Sequence, residues 1–251
     1  MDLSLVIPVY NEADNLIPLA LEIHDAMAQE RWSYEVLLVD DGSTDDSRAI
    51  ITKLCEGDPH LRGIFLDRNH GQTAAFLAGF ARAAGEVIVT LDADLQNDPR
   101  DVPRLLEKLP GRDMVIGVRQ KRHDTLLRRV SSRIANRVRS WATRDGVTDI
   151  GCSLKAFRRD VALAIPPYRG MHRFFPTLAL MDGRTIAEVP VSHRHRRAGK
   201  SKYGLNRLLP SLHDLFAVRW MRARKLRHRV VGETSAPASP ERVDEARTHA
   251  S

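Results

Sequence analysis

The chain has 251 residues, 43% of them hydrophobic, with a formal net charge of +7 and two cysteines. This is enough for one good core in a globular domain, while Cys55 and Cys152 alone make no disulfide framework and point to a reducing, cytoplasmic setting. No stretch approaches the roughly 18 uninterrupted apolar residues of a membrane-spanning helix, and no basic segment precedes the first apolar run, so neither a spanning anchor nor a signal peptide is expected.

Charge is unevenly spread. Residues 1–110 hold nine basic and 20 acidic side chains, residues 111–230 hold 28 and eight, and residues 231–251 hold two and four. The middle stretch is suited to anions: phosphates, anionic lipid head groups or nucleic acid. Nucleic acid is the weakest of these, because neither a recognition motif nor interleaved aromatics accompany the cations.

In chain order, Leu3–Val9 reads as a first strand, followed by the turn Tyr10-Asn11-Glu12. Asp14 is placed to cap a helix whose apolar positions Leu16, Leu19, Ala20, Ile23 and Met27 keep helical spacing. Pro18 falls in that helix's first turn, where it is tolerated. Tyr34–Val39 is the second strand, and the turn residues Asp40–Asp45 lead into a helix ending near Glu56. Arg62–Leu66 is a short third strand, Gln72–Ala84 an Ala-rich helix, and Val87–Leu91 a β-branched fourth strand. Short, nearly unbroken apolar strands alternating with helices predict an α/β fold, a mostly parallel sheet covered on both faces. Ligands of such sheets bind beyond the carboxyl ends of the strands. Polar clusters fall at that edge after strands one, two and four.

Downstream, Pro103–Leu109 is a short helix, Met114–Val118 a strand ending in Arg119, and Thr125–Ala142 an arginine-rich helix. Ser153–Phe157 and Thr185–His193 read as strands, with a helix over His172–Met181 between them. Arg194–Tyr203 is a basic, loop-like run. Leu205–Lys225 is a final helix with Leu205, Leu208, Leu209, Leu212, Leu215 and Phe216 on one stripe, and with arginines towards and beyond its end. Such a basic amphipathic helix can lie in an anionic membrane surface. Packing of the stripe on the domain or on a second subunit is the open alternative. The 231–251 tail has almost nothing to bury and is expected to be disordered.

The most distinctive chemistry is VIVTLDADLQND at 87–98. Asp92, Asp94 and Gln96 leave an extended backbone on one side. They bring hard oxygen ligands together where a strand meets solvent, which suits Mg²⁺ or Mn²⁺ on a substrate diphosphate. A bare Asp-x-Asp is more often a solvated loop; the flanking motifs alter the balance.

With IPVYNE at 7–12, VDDGSTDDS at 39–47 and DADLQ at 92–96, each after a predicted parallel strand, the first half resembles glycosyltransferase family 2, of the GT-A fold. GVRQ at 117–120, GCSLKAFRR at 151–159 and AEVPVSHRHRRAGKSKYG at 187–204 are similar to the dolichyl- and polyprenyl-phosphate sugar (mannose) synthase branch. The resemblance covers about residues 3–220. It implies one GT-A domain over 1–230, with a nucleotide-sugar half at 1–110, an acceptor half at 111–204 and the amphipathic helix at 205–230. It also implies that Pro8, Tyr10, Glu12, Val39 and Asp41 line the nucleotide pocket, with Asp92, Ala93 and Asp94 on its donor side. Asp92, Asp94 and Gln96 then hold the metal. Arg119 contacts the donor phosphates, although pairing with an acid is an equal alternative for a strand-end arginine. Arg196 and Lys202 belong to a loop over the donor and acceptor phosphates, and Asp94 joins these three basic residues as the catalytic set.

The implied reaction is inverting, metal-dependent transfer of a mannose- or glucose-type sugar from a GDP- or UDP-linked donor to a polyprenyl phosphate, at the inner face of the membrane. A homo-oligomer is compatible with it. The residues agree with a phosphate acceptor. A sugar hydroxyl needs a general base, whereas a phosphate monoester is already anionic, and no distinctive base follows Asp94. His172 is the one spare candidate, better suited to a structural or acceptor-orienting role. The remaining alternative is a soluble family 2 enzyme acting on a sugar or protein hydroxyl.

Overall fold

The computed structural model describes residues 1–120, 143, 145–195 and 208–226, with backbone alone for 208–212. The expected helix Thr125–Ala142, Leu205 and the 231–251 tail lie outside the described residues.

β1 (Leu3–Val9), α1 (Ala13–Met27), β2 (Tyr34–Asp40), α2 (Ser47–Gly57), β3 (Leu61–Phe65), α3 (Gln72–Phe80) and β4 (Val87–Thr90) follow one another as the alternation predicts. A 3₁₀ turn at Pro99–Asp101 leads into α4 (Val102–Glu107), and β5 (Met114–Arg119), β6 (Lys155–Arg158) and α5 (Arg159–Leu163) come next. A second 3₁₀ turn, Met171–Phe174, precedes α6 (Phe175–Met181), β7 (Ile186–Val191) and α7 (Leu208–Arg224). The single helix expected over His172–Met181 is therefore split. Pro176 sits in the first turn of α6, where a proline ring is tolerated.

The seven strands are ordered β3-β2-β1-β4-β6-β5-β7. All pairings are parallel except those of β6, which runs antiparallel to both β4 and β5. The strand order reverses at β1 and β4. This leaves a crevice beyond their carboxyl ends, the usual ligand position in such sheets. Because β6 runs backwards, its leading segment 149–154 reaches the same edge as the ends of β4, β5 and β7.

Alternate residues of each strand feed separate layers. Leu3, Leu5, Ile7 and Val9 of β1 pack with Leu16, Leu19 and Ile23 of α1, Ile51 of α2 and Leu105 of α4. Val6, Leu37 and Val39 face the other way, onto Phe76 and Phe80 of α3, Phe175 of α6 and Leu215 and Val218 of α7. Gly79 lets α3 approach closely: a Cβ there would lie 2.3 Å from Val6 Cγ1.

Two expectations change. α1 starts at Ala13, so Asp14 is in its first turn rather than at its cap, and Pro18 lies a turn deeper. The Ala13 amide is satisfied from another loop, by Asp45 Oδ2 at 3.2 Å. On α7, Leu215 is buried under the domain, and Phe216 is not on its stripe: Phe216 and Trp220 face outward, 66% and 64% exposed. The packing alternative thus holds for Leu215, and the face left to solvent is aromatic and basic. Among the described residues no helix is long and apolar enough to cross a membrane.

At the opposite, amino-terminal ends of the strands, buried Glu35 ties four segments together. Its Oε1 accepts from Ser4 Oγ and the Ala84 amide, both at 2.7 Å, and its Oε2 pairs with Arg62. Burial alone would raise its pKa, but the Ala84, Ser4 and Arg62 interactions outweigh it and hold the carboxyl below its ordinary value. Stability from this group is therefore present above its unfolded pKa and lost as pH falls through the folded one. Glu35→Gln is expected to cost about 2 kcal/mol at neutral pH in urea unfolding. The gap to wild type should close in acid; a gap that stays constant would show that the charge is not what stabilises.

Candidate active site

Three loops meet at the crevice. The loop after β1 is fastened to the loop after β2: the Asn11 amide donates to Ser43 Oγ at 2.9 Å, the Glu12 amide to Ser47 Oγ at 3.0 Å, and the Thr44 amide to Asn11 Oδ1 at 2.8 Å. Asn11 takes φ +52°, a conformation asparagine tolerates. Tyr10 and Glu12 are thereby held half-buried at the carboxyl end of β1, beside the strand-borne Pro8. Val39 is wholly buried in the layer beneath α3, so its side chain offers nothing to a ligand.

Asp41 does something the sequence did not suggest. Its carboxylate accepts from the His70 amide at 2.8 Å, the Gly71 amide at 2.8 Å and Asn69 Nδ2 at 3.0 Å. It organises the loop that opens α3. Burial raises its pKa despite these donors. Asp40 is likewise committed, accepting from the Ser43 amide at 3.0 Å and pairing with Arg48 at 3.1 Å.

Asp92, Ala93, Asp94 and Gln96 lie just past β4. Ala93 is buried in the core. Leu95 is also buried, yet its backbone has φ +60°, a strained conformation for a bulky residue that costs about 1–3 kcal/mol. The strain is compensated by core burial of the Leu95 side chain, and it turns the chain sharply between Asp94 and Gln96. The Gln96 amide then donates to Asp94 Oδ1 at 3.1 Å. Asp92 Oδ1 accepts from Gln72 Nε2 at 2.8 Å. Burial and the neighbouring Asp94 charge raise the Asp92 pKa to about 6.

No described group of three or more His, Cys, Asp or Glu side chains could hold a metal by itself. Two crowded carboxylates still form a fitting half-shell for a hard dication that brings phosphate oxygens and water as its other ligands. Gln96 Nε2 is directed at the Arg194 carbonyl, 3.5 Å away, a contact that does not engage its Oε1, the atom that would ligate an ion.

The cationic partners are partly as expected. Arg119 ends β5 at this edge, but its Nε and Nη2 fork onto Asp149 at 2.7 and 2.8 Å. The structure thus shows the pairing with an acid, a strong bidentate contact. Gly151 makes room for it, since a Cβ there would lie 3.0 Å from Arg119 Nη2. Arg196 and Lys202 lie outside the described residues. Arg194, just before them, donates its amide to the Gln96 carbonyl at 2.8 Å and pairs with Glu22 at 2.6 Å and with Asp98. The basic run therefore starts directly against the Asp92–Gln96 turn.

Lys155 is a residue that motif reading passed over. It pairs in register with Thr90 at the end of β4, is buried, and donates to the Cys152 carbonyl. Burial lowers its pKa, while Cys152 and Asp92 favour its charge. The available signal was a lysine directly before the apolar pair Ala156 and Phe157 in a short strand. His172 Nδ1 is 2.8 Å from Thr73 Oγ1, one residue along α3 from Gln72.

Comparison with known proteins agrees with this geometry. The family model for Glycosyl transferase family 2 matches residues 4–165. Undecaprenyl-phosphate 4-deoxy-4-formamido-L-arabinose transferases of Klebsiella pneumoniae (strain 342) and Salmonella choleraesuis (strain SC-B67) are 42% identical over 214 residues, 84% of this chain. The chain spans about 65% of the length of these relatives. Glucosyl-3-phosphoglycerate synthase from Mycobacterium tuberculosis, solved with Mn²⁺, UDP and glucosyl-3-phosphoglycerate, superposes with a TM-score of 0.66. At 20% identity, covering 88% of this chain and 79% of that one, it shares the fold.

Proposed function

The chain belongs to glycosyl transferase family 2, and on that premise we propose that it moves a sugar from a nucleoside diphosphate donor to a polyprenyl phosphate. The observation that carries this reading is the Asp92–Asp94 pair just past the carboxyl end of β4, with Asp92 bonded to Gln72 and Asp94 to the Gln96 amide. The pair follows β4, the parallel neighbour of β1, whose carboxyl end carries Tyr10 and Glu12. The relatives named for undecaprenyl phosphate support the acceptor class.

Asp92 and Asp94 would hold Mg²⁺ or Mn²⁺, with Gln96 beside them. When bound, the ion supplies positive charge to the departing diphosphate. Tyr10 and Glu12, fixed through Ser43 and Ser47, would line the nucleotide side. Arg119, oriented by Asp149, lends a fixed positive charge to the same edge. Arg196 and Lys202 would hold the donor and acceptor phosphates together, an orientation role. The acceptor phosphate oxygen attacks the anomeric carbon opposite the leaving group. The configuration inverts without a protein base, which leaves His172 to orient rather than to deprotonate. The donor is UDP- or GDP-linked. Its sugar is a mannose- or glucose-type hexose or the formamido-arabinose for which the relatives are named.

A polyprenyl acceptor sits in a bilayer. We propose that α7 meets the anionic cytoplasmic surface with Phe216 and Trp220, one helical turn apart and both exposed, beside Arg219 and Arg224. Tryptophan favours the membrane–water interface, and the cations favour anionic head groups.

Radiolabelled nucleotide sugar incubated with undecaprenyl phosphate and Mn²⁺ should give label in the organic phase. Asp94→Asn should reduce that rate by about a hundredfold or more. Label transferred only to a sugar or protein hydroxyl would replace this function with that of a soluble family 2 enzyme. Pelleting with anionic vesicles should be lost in Phe216→Ser/Trp220→Ser and weakened by salt; vesicle binding unchanged in that variant would remove α7 from the membrane contact.

A further inference from the structure

Gln72 is the first residue of α3, and the preceding cap residue, Gly71, has no side chain with which to cap the helix. Gln72 does not close the helix end either. Its side chain crosses to the end of β4 and donates Nε2–H to Asp92 Oδ1 at 2.8 Å. The amide orientation is fixed by chemistry, because its oxygen would repel the carboxylate. What holds Gln72 there is Asp41, whose two oxygens take the backbone amides of His70 and Gly71, each at 2.8 Å. A carboxylate at the end of β2 thus sets a loop, the loop sets Gln72, and Gln72 meets a carboxylate at the end of β4.

We propose that Gln72 is a positioning residue that fixes the Asp92 carboxylate for the divalent ion, and that Asp41 acts on the same carboxylate through Gln72. The inference rests on the functional reading above. A hydrogen bond of this kind, beside the one from the Ser153 side chain, restricts rotation of the carboxylate. Partners that orient metal-binding carboxylates typically matter by about 10–100-fold in metal affinity. Asp41 then has a role separate from nucleotide contact: its loss would loosen the metal site although a whole loop lies between them.

The test is Mn²⁺ titration of the full chain in the presence of UDP or GDP, whichever wild type binds more tightly. Gln72→Met keeps length and volume but removes the donor. Its Mn²⁺ affinity should fall about tenfold, while its melting temperature without ligand stays within about 2 °C of wild type. Affinity for the nucleotide without Mn²⁺ should not change, and excess Mn²⁺ should restore kcat towards wild type. Asp41→Asn should also weaken Mn²⁺ binding, and the double variant should lose less than the product of the single losses. If Gln72→Met does not fold, Gln72→Asn, one methylene too short to reach Asp92, carries the same expectation. Wild-type Mn²⁺ affinity in the folded variant, or an equal loss of nucleotide affinity with and without Mn²⁺, would overturn the proposal. Wild-type protein that binds neither nucleotide with Mn²⁺ would overturn the functional reading and this inference with it.

Discussion

Two carboxylates forced together at one strand end are the constraint around which this structure is arranged. Asp92 and Asp94 follow β4 with one residue between them, and burial with mutual repulsion lifts Asp92 to about 6. Their backbone is fixed on several sides: β4 lies between β1 and β6, Leu95 is anchored in the core at φ +60°, and Gln72 holds Asp92 from the side. Asp92 and Asp94 would hold a dication, whose positive charge would offset the cost of keeping two carboxylates side by side.

The rest of the edge follows from that charge balance. Buried Lys155, whose charge Asp92 favours, and the Arg119–Asp149 fork stand at the same edge as the acids. The loop after β1 is tied to the loop after β2 through Asn11, Glu12, Ser43 and Ser47, so this part of the edge is fixed by hydrogen bonds. Arg194, where the basic run begins, donates its amide to the Gln96 carbonyl and is itself held by Glu22 and Asp98.

Much of this was legible in the residues. The β-branched runs at 3–9, 34–39 and 87–91 located three central strands within one residue, because both faces are buried and the runs are unbroken. The Asp-x-Asp stood out because it follows such a run. What stayed hidden depends on partners distant in sequence. Nothing in KAFRR says that β6 inserts antiparallel between β4 and β5, since the reversal is set by the connection and not by the strand. Asp41 reads as a ligand until its bonds to residues 69–71 are seen. Arg119 looks directed at phosphate until Asp149, thirty residues on, takes its fork. The leucine spacing on the last helix indicated an apolar face but not which residues it would bury, and Phe216 fell on the other side.

The most direct measurement is the melting temperature of the full chain with UDP or GDP, in Mn²⁺ and then in EDTA. A ligand that binds only the native state raises the melting temperature. If the Asp92–Asp94 pair grips a cation that bridges to a diphosphate, one nucleotide should raise it with Mn²⁺, and EDTA should abolish the rise. A rise of the same size in EDTA, or none with either nucleotide, would contradict a metal–diphosphate site at the end of β4.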